Sequence, residues 1–322
     1  MKVLVAGAGG FIGGHLVNKL ELLGHEVVAV DIKNKENWYL HPKNSDSIVE
    51  DLRLLNPAIK YTKDVSRVFN LACDMGGMGF IENNKAKCME SVLINTHLLQ
   101  GARESNVEKF FFSSSACVYA SFHQNTLDIE PLREEDAYPA DPEDGYGWEK
   151  LFSERMCRHF DEDYGIKTRV ARYHNVYGPH GTYDGGREKV PAAACRKIIE
   201  SINNGTFEIE IWGDGKQLRS FTYIDDCIEG TLKLIDSDFN SPLNIGSSEM
   251  ISINDLYKSI IEVKNLDISK FNFKHNLSAP QGVRGRSSNN DKCIEVLNWE
   301  PSVSFKTGIS KTYDWILKEI NG

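Results

Sequence analysis

Along its first half the chain alternates between two textures. Short solid apolar runs give way to longer stretches whose apolar residues recur three and four apart, the spacing of one helix face. Residues 3–6, 26–30, 47–50, 65–72 and 167–173 read as strands, and so does the phenylalanine run that reaches Ser115. Between them, residues 15–23, 83–105 and 144–164 read as helices, with a shorter helical run between the third and fourth strands. Strands that alternate with helices predict one doubly wound parallel sheet with helices on both faces, an α/β fold. Past residue 177 the texture changes. Residues 183–191 and 212–220 are polar, loop-rich and cationic, whereas 221–235 and 243–247 resume strand and helix. The pattern predicts a first domain over 1–176, rejoined by 218–247. A smaller C-terminal α/β lobe takes 177–217 and 248–322, closed by helices near 253–264 and 304–320 on either side of a basic loop at 280–286.

The first strand runs into Gly7-Ala-Gly-Gly10-Phe11-Ile12-Gly13 and then into a helix. Glycines in that position let the backbone approach a pyrophosphate whose charge the helix N-terminus favours, the arrangement of a Rossmann-type dinucleotide site. Asp31 ends the second strand, where a carboxylate accepts hydrogen bonds from an adenosine ribose. It would repel a 2′-phosphate, so NAD is expected over NADP. Asp51 with Leu52, and Leu71 with Ala72, end later strands on the edge where such sheets bind ligands. The glycine string at 74–80 follows at once, beside the expected nicotinamide pocket, and suits close backbone approach to a substrate.

Composition narrows the partners. With 37 Lys and Arg against 46 Asp and Glu, the net charge of -9 argues against nucleic acid or an anionic membrane as the main partner. Seven cysteines without paired spacing suit a reducing compartment, so a cytoplasmic location is expected. No C-x-x-C or H-x-x-x-H is present, and no metal is expected. Residues 1–6 read as a strand and not as a signal peptide, and no apolar run approaches the length of a membrane span.

The candidate chemistry gathers where the phenylalanine strand ends in Ser113-Ser-Ser115-Ala116-Cys117. If the strand continues, Ser115 and Cys117 point to the same side. One loop later Tyr146 and Lys150 sit four apart on a helix, where the ammonium should lower the pKa of the phenol. A serine, an activated tyrosine and a lysine suit proton removal from a sugar hydroxyl during hydride transfer; Cys117 is an extra group. The other cysteines read as small core residues.

These residues, with Asn70-Leu-Ala, Asn175-Val-Tyr-Gly-Pro, Arg219-Ser-Phe-Thr-Tyr-Ile-Asp and Asn244-Ile-Gly, make the chain resemble the extended short-chain dehydrogenase/reductase family over nearly its whole length. Segments 74–80, 114–117, 185–189, 212–215 and 282–286 are similar to the branch that inverts C3 and C5 of GDP-mannose; Cys73, Gly145 and Val190 depart from its pattern. The resemblance implies bound NAD, a GDP-sugar substrate and a homodimer. It also implies that Tyr146 takes the O4 proton as C4 is oxidised, that Ser115 bonds that oxygen, and that Lys150 holds the nicotinamide ribose. Cys117 and Lys189 would then serve opposite ring faces as acid and base. Substrate contacts are implied for Gly76, Ser115, Ala116, Cys117, Asn175, Glu188, Lys189, Val190, Lys197, Gln217, Arg219, Arg284 and Tyr313. Guanidinium groups such as Arg219 and Arg284 suit a diphosphate, and Arg286 would serve as well. A 4-epimerase or 4,6-dehydratase is the alternative; the first needs no acid/base pair at C3 and C5, and the second would be expected to carry an acidic pair just after the serine, where this chain has Cys117-Val118.

Overall fold

The apolar runs become the middle of one sheet because both of its faces are covered. In the computed structural model, which describes residues 1–322, strands β1 (Lys2–Ala6), β2 (Glu26–Asp31), β3 (Ser47–Val49), β4 (Arg67–Asn70), β5 (Lys109–Ser115) and β6 (Lys167–Tyr173) lie side by side. Four further short strands, β7 (Val176–Tyr177), β8 (Glu208–Trp212), β9 (Leu218–Ser220) and β10 (Thr222–Tyr223), precede β11 (Leu243–Ile245), which completes the sheet. Its order is β11-β6-β5-β4-β1-β2-β3, with every neighbouring pair parallel. Side chains alternate across it. Phe111 enters the core on one face with Leu16, Val17 and Ile228, while Phe110 and Phe112 enter the other with Leu98, Leu99 and Cys157. Helices α1 (Phe11–Leu22), α2 (Leu55–Thr62), α3 (Met78–Asn83), α4 (Lys85–Met89), α5 (Ser91–Glu104) and α6 (Asp144–Tyr164) belong to the first part of the chain. This is the doubly wound Rossmann fold that the alternating pattern predicts.

The single helix expected over 83–105 is two helices, α4 and α5, which meet at Glu90, and α3 ends just ahead of them at Asn83. Asn84 leaves helical geometry at φ -133°, and the amides of Asn83 and Asn84 donate back to the carbonyls of Gly79 and Phe80 at 2.7 and 2.8 Å. Such local bonds compete with the helical ladder. The fourth strand is shorter than expected and stops at Asn70. The polar stretch 183–217 also contains an unforeseen helix, α7 (Val190–Asn203), which tolerates Pro191 in its first turn because an N–H there has no helical partner.

The remaining elements are α8 (Ile224–Asp236), β12 (Met250–Ser252), α9 (Ile253–Val263), β13 (Asn272–Asn276), β14 (Gly285–Arg286), α10 (Asp291–Leu297) and α11 (Phe305–Asn321). Of these, α8 packs against α1 and against β5 and β6 of the main sheet, and α10 packs against β11 and α8. The others, β12, α9, β13, β14 and α11, form with α7, β8 and β9 a smaller C-terminal α/β region. There β9 lies between β12 and β14, and β8 pairs with β13. Within 218–247, β11 therefore joins the main sheet while β9 pairs with the smaller one. No helix is long and apolar enough to cross a membrane. The C-terminal ends of β5 and β6, at Ser115 and Tyr173, line one cavity with Arg219 of β9 and Arg286 of β14, and the candidate site lies there.

Candidate functional site

At the cofactor edge the sequence acts through backbone shape. Gly7 turns the chain at φ +85°, and a Cβ there would stand 2.8 Å from the Ala72 backbone nitrogen. A Cβ on Gly13 would fall on the Gly7 carbonyl oxygen. The strand end, Leu71-Ala72 and the start of α1 at Phe11 and Ile12 therefore pack without side chains between them. Gly10 caps α1 with no side-chain bond, leaving its first N–H groups available to an anion. Asp31 accepts from the Gly9 N–H at 3.0 Å and the Lys33 N–H at 2.8 Å. Burial nevertheless raises its pKa, against the opposing effect of those bonds and of the Lys33 charge. Asp51 is clamped by Arg53 at 2.8 Å, which lowers its pKa, and Leu52 is buried beside it. Trp38, absent from the sequence reading, lies over Gly9 and donates from its indole to the Lys33 carbonyl at 2.9 Å. Glycines whose Cβ positions are taken by backbone form a cradle that fits a dinucleotide.

At the chemical centre the strand does not continue. It ends at Ser115, and Ala116–Val118 is a tight 3-10 turn, so the shared strand register expected for Ser115 and Cys117 is replaced by a cap. The Cys117 N–H donates to Ser115 Oγ at 3.2 Å. Both side chains still reach the same cavity because the turn brings Cys117 back over the strand end. Tyr146 and Lys150 lie one turn apart on α6, and Lys150 is only 1% exposed. Its Nζ has no hydrogen-bond partner and stands 3.6 Å from Glu149. Burial works against its charge, but Cys73 and Glu149 outweigh that and raise its pKa.

The expected lowering of the Tyr146 phenol is reversed. Burial pushes its pKa well up, with Cys73, Cys117 and Glu149 adding to the effect and a bond from Ser115 opposing it. Lys150 Nζ is 5.7 Å from the Tyr146 ring centre, too far to outweigh the loss of water.

A cavity of about 280 Å³ opens over Ser115, Cys117 and Tyr146, while Lys150 is buried behind Tyr146 and does not line it. Gly76, Ser115, Ala116, Cys117, Tyr146, Asn175, Glu188, Lys189, Val190, Lys197, Gln217 and Arg219 all line it. Asn175 turns the chain between β6 and β7 at φ +31°, a conformation that asparagine tolerates better than most residues. Lys189 is the residue before α7, and burial lowers its pKa. Burial and the neighbouring Arg286 bring Arg219 down to about 10.

Two expected contacts lie elsewhere. Arg284, just before β14, turns to Asp214 at 3.0 Å, and it is Arg286 that enters the cavity, beside Arg219 in the β9–β14 register. Tyr313 is held in the core by α11, with the Lys264 ammonium over its ring at 5.2 Å. Glu143 and Met75 also line the cavity. Sequence reasoning missed both, since neither a loop glutamate before a helix nor a methionine among glycines gives a local signal. A larger hollow of about 520 Å³, bordered by Arg155, Arg158 and Glu162, contains none of these residues.

A glycine cradle at the end of a parallel sheet, with serine, tyrosine and lysine beside a sugar-sized cavity, defines a class of dinucleotide-dependent enzyme. Residues 3–246 match the NAD dependent epimerase/dehydratase family, and the chain belongs to it. It is 44% identical to the GDP-mannose 3,5-epimerase of Arabidopsis thaliana over 323 residues, covering 99% of this chain and 83% of that protein. GDP-L-colitose synthase of Yersinia pseudotuberculosis is 26% identical, covering 100% of this chain and 99% of its own. Among solved structures, the UDP-glucose 4-epimerase of Thermotoga maritima, determined with UDP-glucose, superposes with a TM-score of 0.87 at 26% identity, covering 99% of this chain and all of that one.

Proposed function

We propose that the chain is a GDP-mannose 3,5-epimerase, converting GDP-D-mannose to GDP-L-galactose through transient oxidation at C4. The observation that carries this reading is that Cys117 and Lys189 line the same cavity as Ser115 and Tyr146. A C–H bond next to an alcohol is hardly acidic, whereas one next to a C4 ketone is, and C3 and C5 both flank C4. One oxidation can therefore serve two inversions, each needing a base on one ring face and an acid on the other. Bound NAD supplies the reversible oxidation at C4.

Tyr146 takes the O4 proton while Ser115 holds that oxygen. Burial raises the phenol and Lys150 alone does not offset it, so the Lys150 charge favours the phenolate only together with the positive nicotinamide of bound NAD. Lys189, whose burial favours the neutral amine, and Cys117 are the acid/base pair. Arg219 and Arg286, both in the cavity, suit the diphosphate. The 44% identity to the plant 3,5-epimerase over almost the whole chain supports the same substrate. Exposed Leu93, Trp148 and Phe152 on α5 and α6 suit pairing with a second copy.

The second reading is a nucleotide-sugar 4-epimerase, supported by the fold shared with the Thermotoga enzyme. One experiment separates the two. The NAD-loaded protein is incubated with GDP-mannose in deuterated water and the sugar is read by NMR. Deuterium at C3 and C5 with a galacto-configured product is expected. Inversion at C4 alone, or no exchange with GDP-mannose while another nucleotide sugar reacts, overturns the 3,5-epimerase reading.

A further inference from the structure

Cys117 does not stand alone in its cavity. Arg286, 5% exposed, reaches it from β14 and spreads its guanidinium over three partners. Nε donates to Gln124 Oε1 at 2.5 Å, Nη2 to Glu143 Oε1 at 2.8 Å and Nη1 to Cys117 Sγ at 3.5 Å. Glu143 is fixed from behind, because its N–H donates to the Cys117 carbonyl at 2.9 Å. Its second carboxylate oxygen, Oε2, is buried and has no partner in the structure. A buried carboxylate oxygen without a donor is costly, and the Cys117 thiol, held by the same Arg286 guanidinium, is a nearby group with a proton to give it.

We infer that Glu143 is a positioning residue for Cys117: its carboxylate takes the hydrogen bond of the thiol and, sharing Arg286 with the sulfur, keeps that proton in place until the sugar receives it. This rests on the proposed inversion chemistry and assigns the direction of its proton traffic. In the form whose Lys189 has lost its proton to water, the free amine takes the ring proton from one face. The electron pair left on carbon is delocalised into the C4 carbonyl and then forms the new C–H bond with the thiol proton on the other face. The S–H bond breaks, its electron pair stays on sulfur, and Arg286 compensates the thiolate charge. The ammonium loses and the thiolate gains one proton by exchange with water, which restores both groups and brings solvent hydrogen into the product.

The groups facing the sulfur fit that division. They are Glu143 before α6, Tyr146 on α6, Lys189 before α7, Arg219 on β9 and Arg286 on β14. Burial is the main cause that takes the thiol up to about 11, and Glu143 adds to it while Arg286 opposes it. Burial pushes Glu143 up, but Arg286, Cys117 and Arg219 together outweigh it and keep the carboxyl below its usual range. The pair therefore rests as thiol and carboxylate at neutral pH.

The test is the pH dependence of Cys117 alkylation by iodoacetamide in the NAD-loaded protein without sugar, followed by peptide mass spectrometry so that the other six cysteines do not interfere. Only the thiolate reacts. Glu143→Gln keeps the shape but removes the negative charge, leaving Arg286 unopposed beside the sulfur. Its alkylation midpoint is expected to fall by about one pH unit, equivalent to about tenfold faster labelling at a fixed pH below the midpoint. Deuterium wash-in should slow while NAD content and C4 oxidation persist. An unchanged midpoint in a variant that retains NAD overturns the inference. If Glu143→Gln does not fold, Glu143→Asp should show a smaller fall in the same direction, and its absence is equally decisive. Labelling needs no substrate, so a shifted midpoint beside a failed GDP-mannose assay would refute the substrate reading and leave the Glu143–Cys117 pairing standing.

Discussion

The cofactor edge and the sugar cavity sit at the ends of the same strands but are built by different means. The edge is made by what is missing. Gly7 and Gly13 bring β1, the end of β4 and α1 together, and the surfaces offered to a ligand are backbone N–H groups. Its parts come mostly from the first 31 residues. The cavity is made by convergent side chains from β5, α6, β9, β14 and the segment before α7, and its electrostatics depend on groups as far apart as Cys117 and Arg286. A backbone cradle tolerates no added atoms and fails as a whole. A cavity of separate side chains can lose one step and keep the others.

The sharpest way to break that contrast is Gly13→Ala. The added methyl falls on the Gly7 carbonyl, a backbone atom that cannot swing aside as a side chain does. Displacing α1 costs about 1–3 kcal/mol, as overpacking does elsewhere, and it spoils the helix N-terminus as an anion site. The purified variant is expected to carry less than about a tenth of the wild-type NAD, a loss of at least 1.4 kcal/mol in binding. The measurement is chromatography of the nucleotide released on denaturation. Full occupancy would show that the cradle is not built as described.

Legibility follows the same division. The strand and helix alternation, the glycine turn and Asp31 were readable because their signals are local, and the sheet order confirms the fold they imply. The cavity's lining was legible through the family resemblance, from Ser115 and Tyr146 to Lys189 and Arg219, because those residues sit in short motifs. The conformation of Cys117 was not, because a period-two pattern cannot announce that a strand turns into a 3-10 cap one residue after Ser115. Nor was Glu143. In sequence it belongs to the charged loop Asp141-Pro-Glu-Asp144, and its burial comes from an arginine 143 residues away. The start expected at 83 was missed for a local reason of another kind, since the asparagine amides at 83 and 84 bond back to the backbone and separate α3 from α4.

Cys117→Ala sharpens the comparison from the other side. It should leave the cradle untouched, with NAD content and substoichiometric C4 oxidation of GDP-mannose at wild-type level. Deuterium wash-in should fall by about 10²–10⁴-fold, the usual contribution of a positioned acid or base. Parallel NMR and absorbance measurements on one sample check this. Wash-in that persists at the wild-type rate would remove the thiol from the reaction, whereas loss of NAD would show that the two regions are not separable.

The smallest effect is expected at Arg284, and it tests the cavity's boundary. Arg284 and Arg286 are two apart in a basic loop, and by charge alone either suits a diphosphate. The structure separates them. Arg286 is almost fully buried, lines the cavity and touches Cys117, whereas Arg284 does not line it and is committed to Asp214 at 3.0 Å, with a longer bond to Gln281 on the cavity wall. That ion pair is partly exposed, with 29% and 36% of the two side chains accessible, so breaking it costs little after solvent screening, at most about 1 kcal/mol. Arg284→Gln should therefore leave the KM for the nucleotide sugar within about threefold, since a lost diphosphate contact would cost more than the 0.65 kcal/mol that threefold represents. A rise in KM of tenfold or more with kcat unchanged would mean that the loop turns when the sugar binds and delivers Arg284 to the phosphates, extending the convergent region by one residue beyond the wall described above.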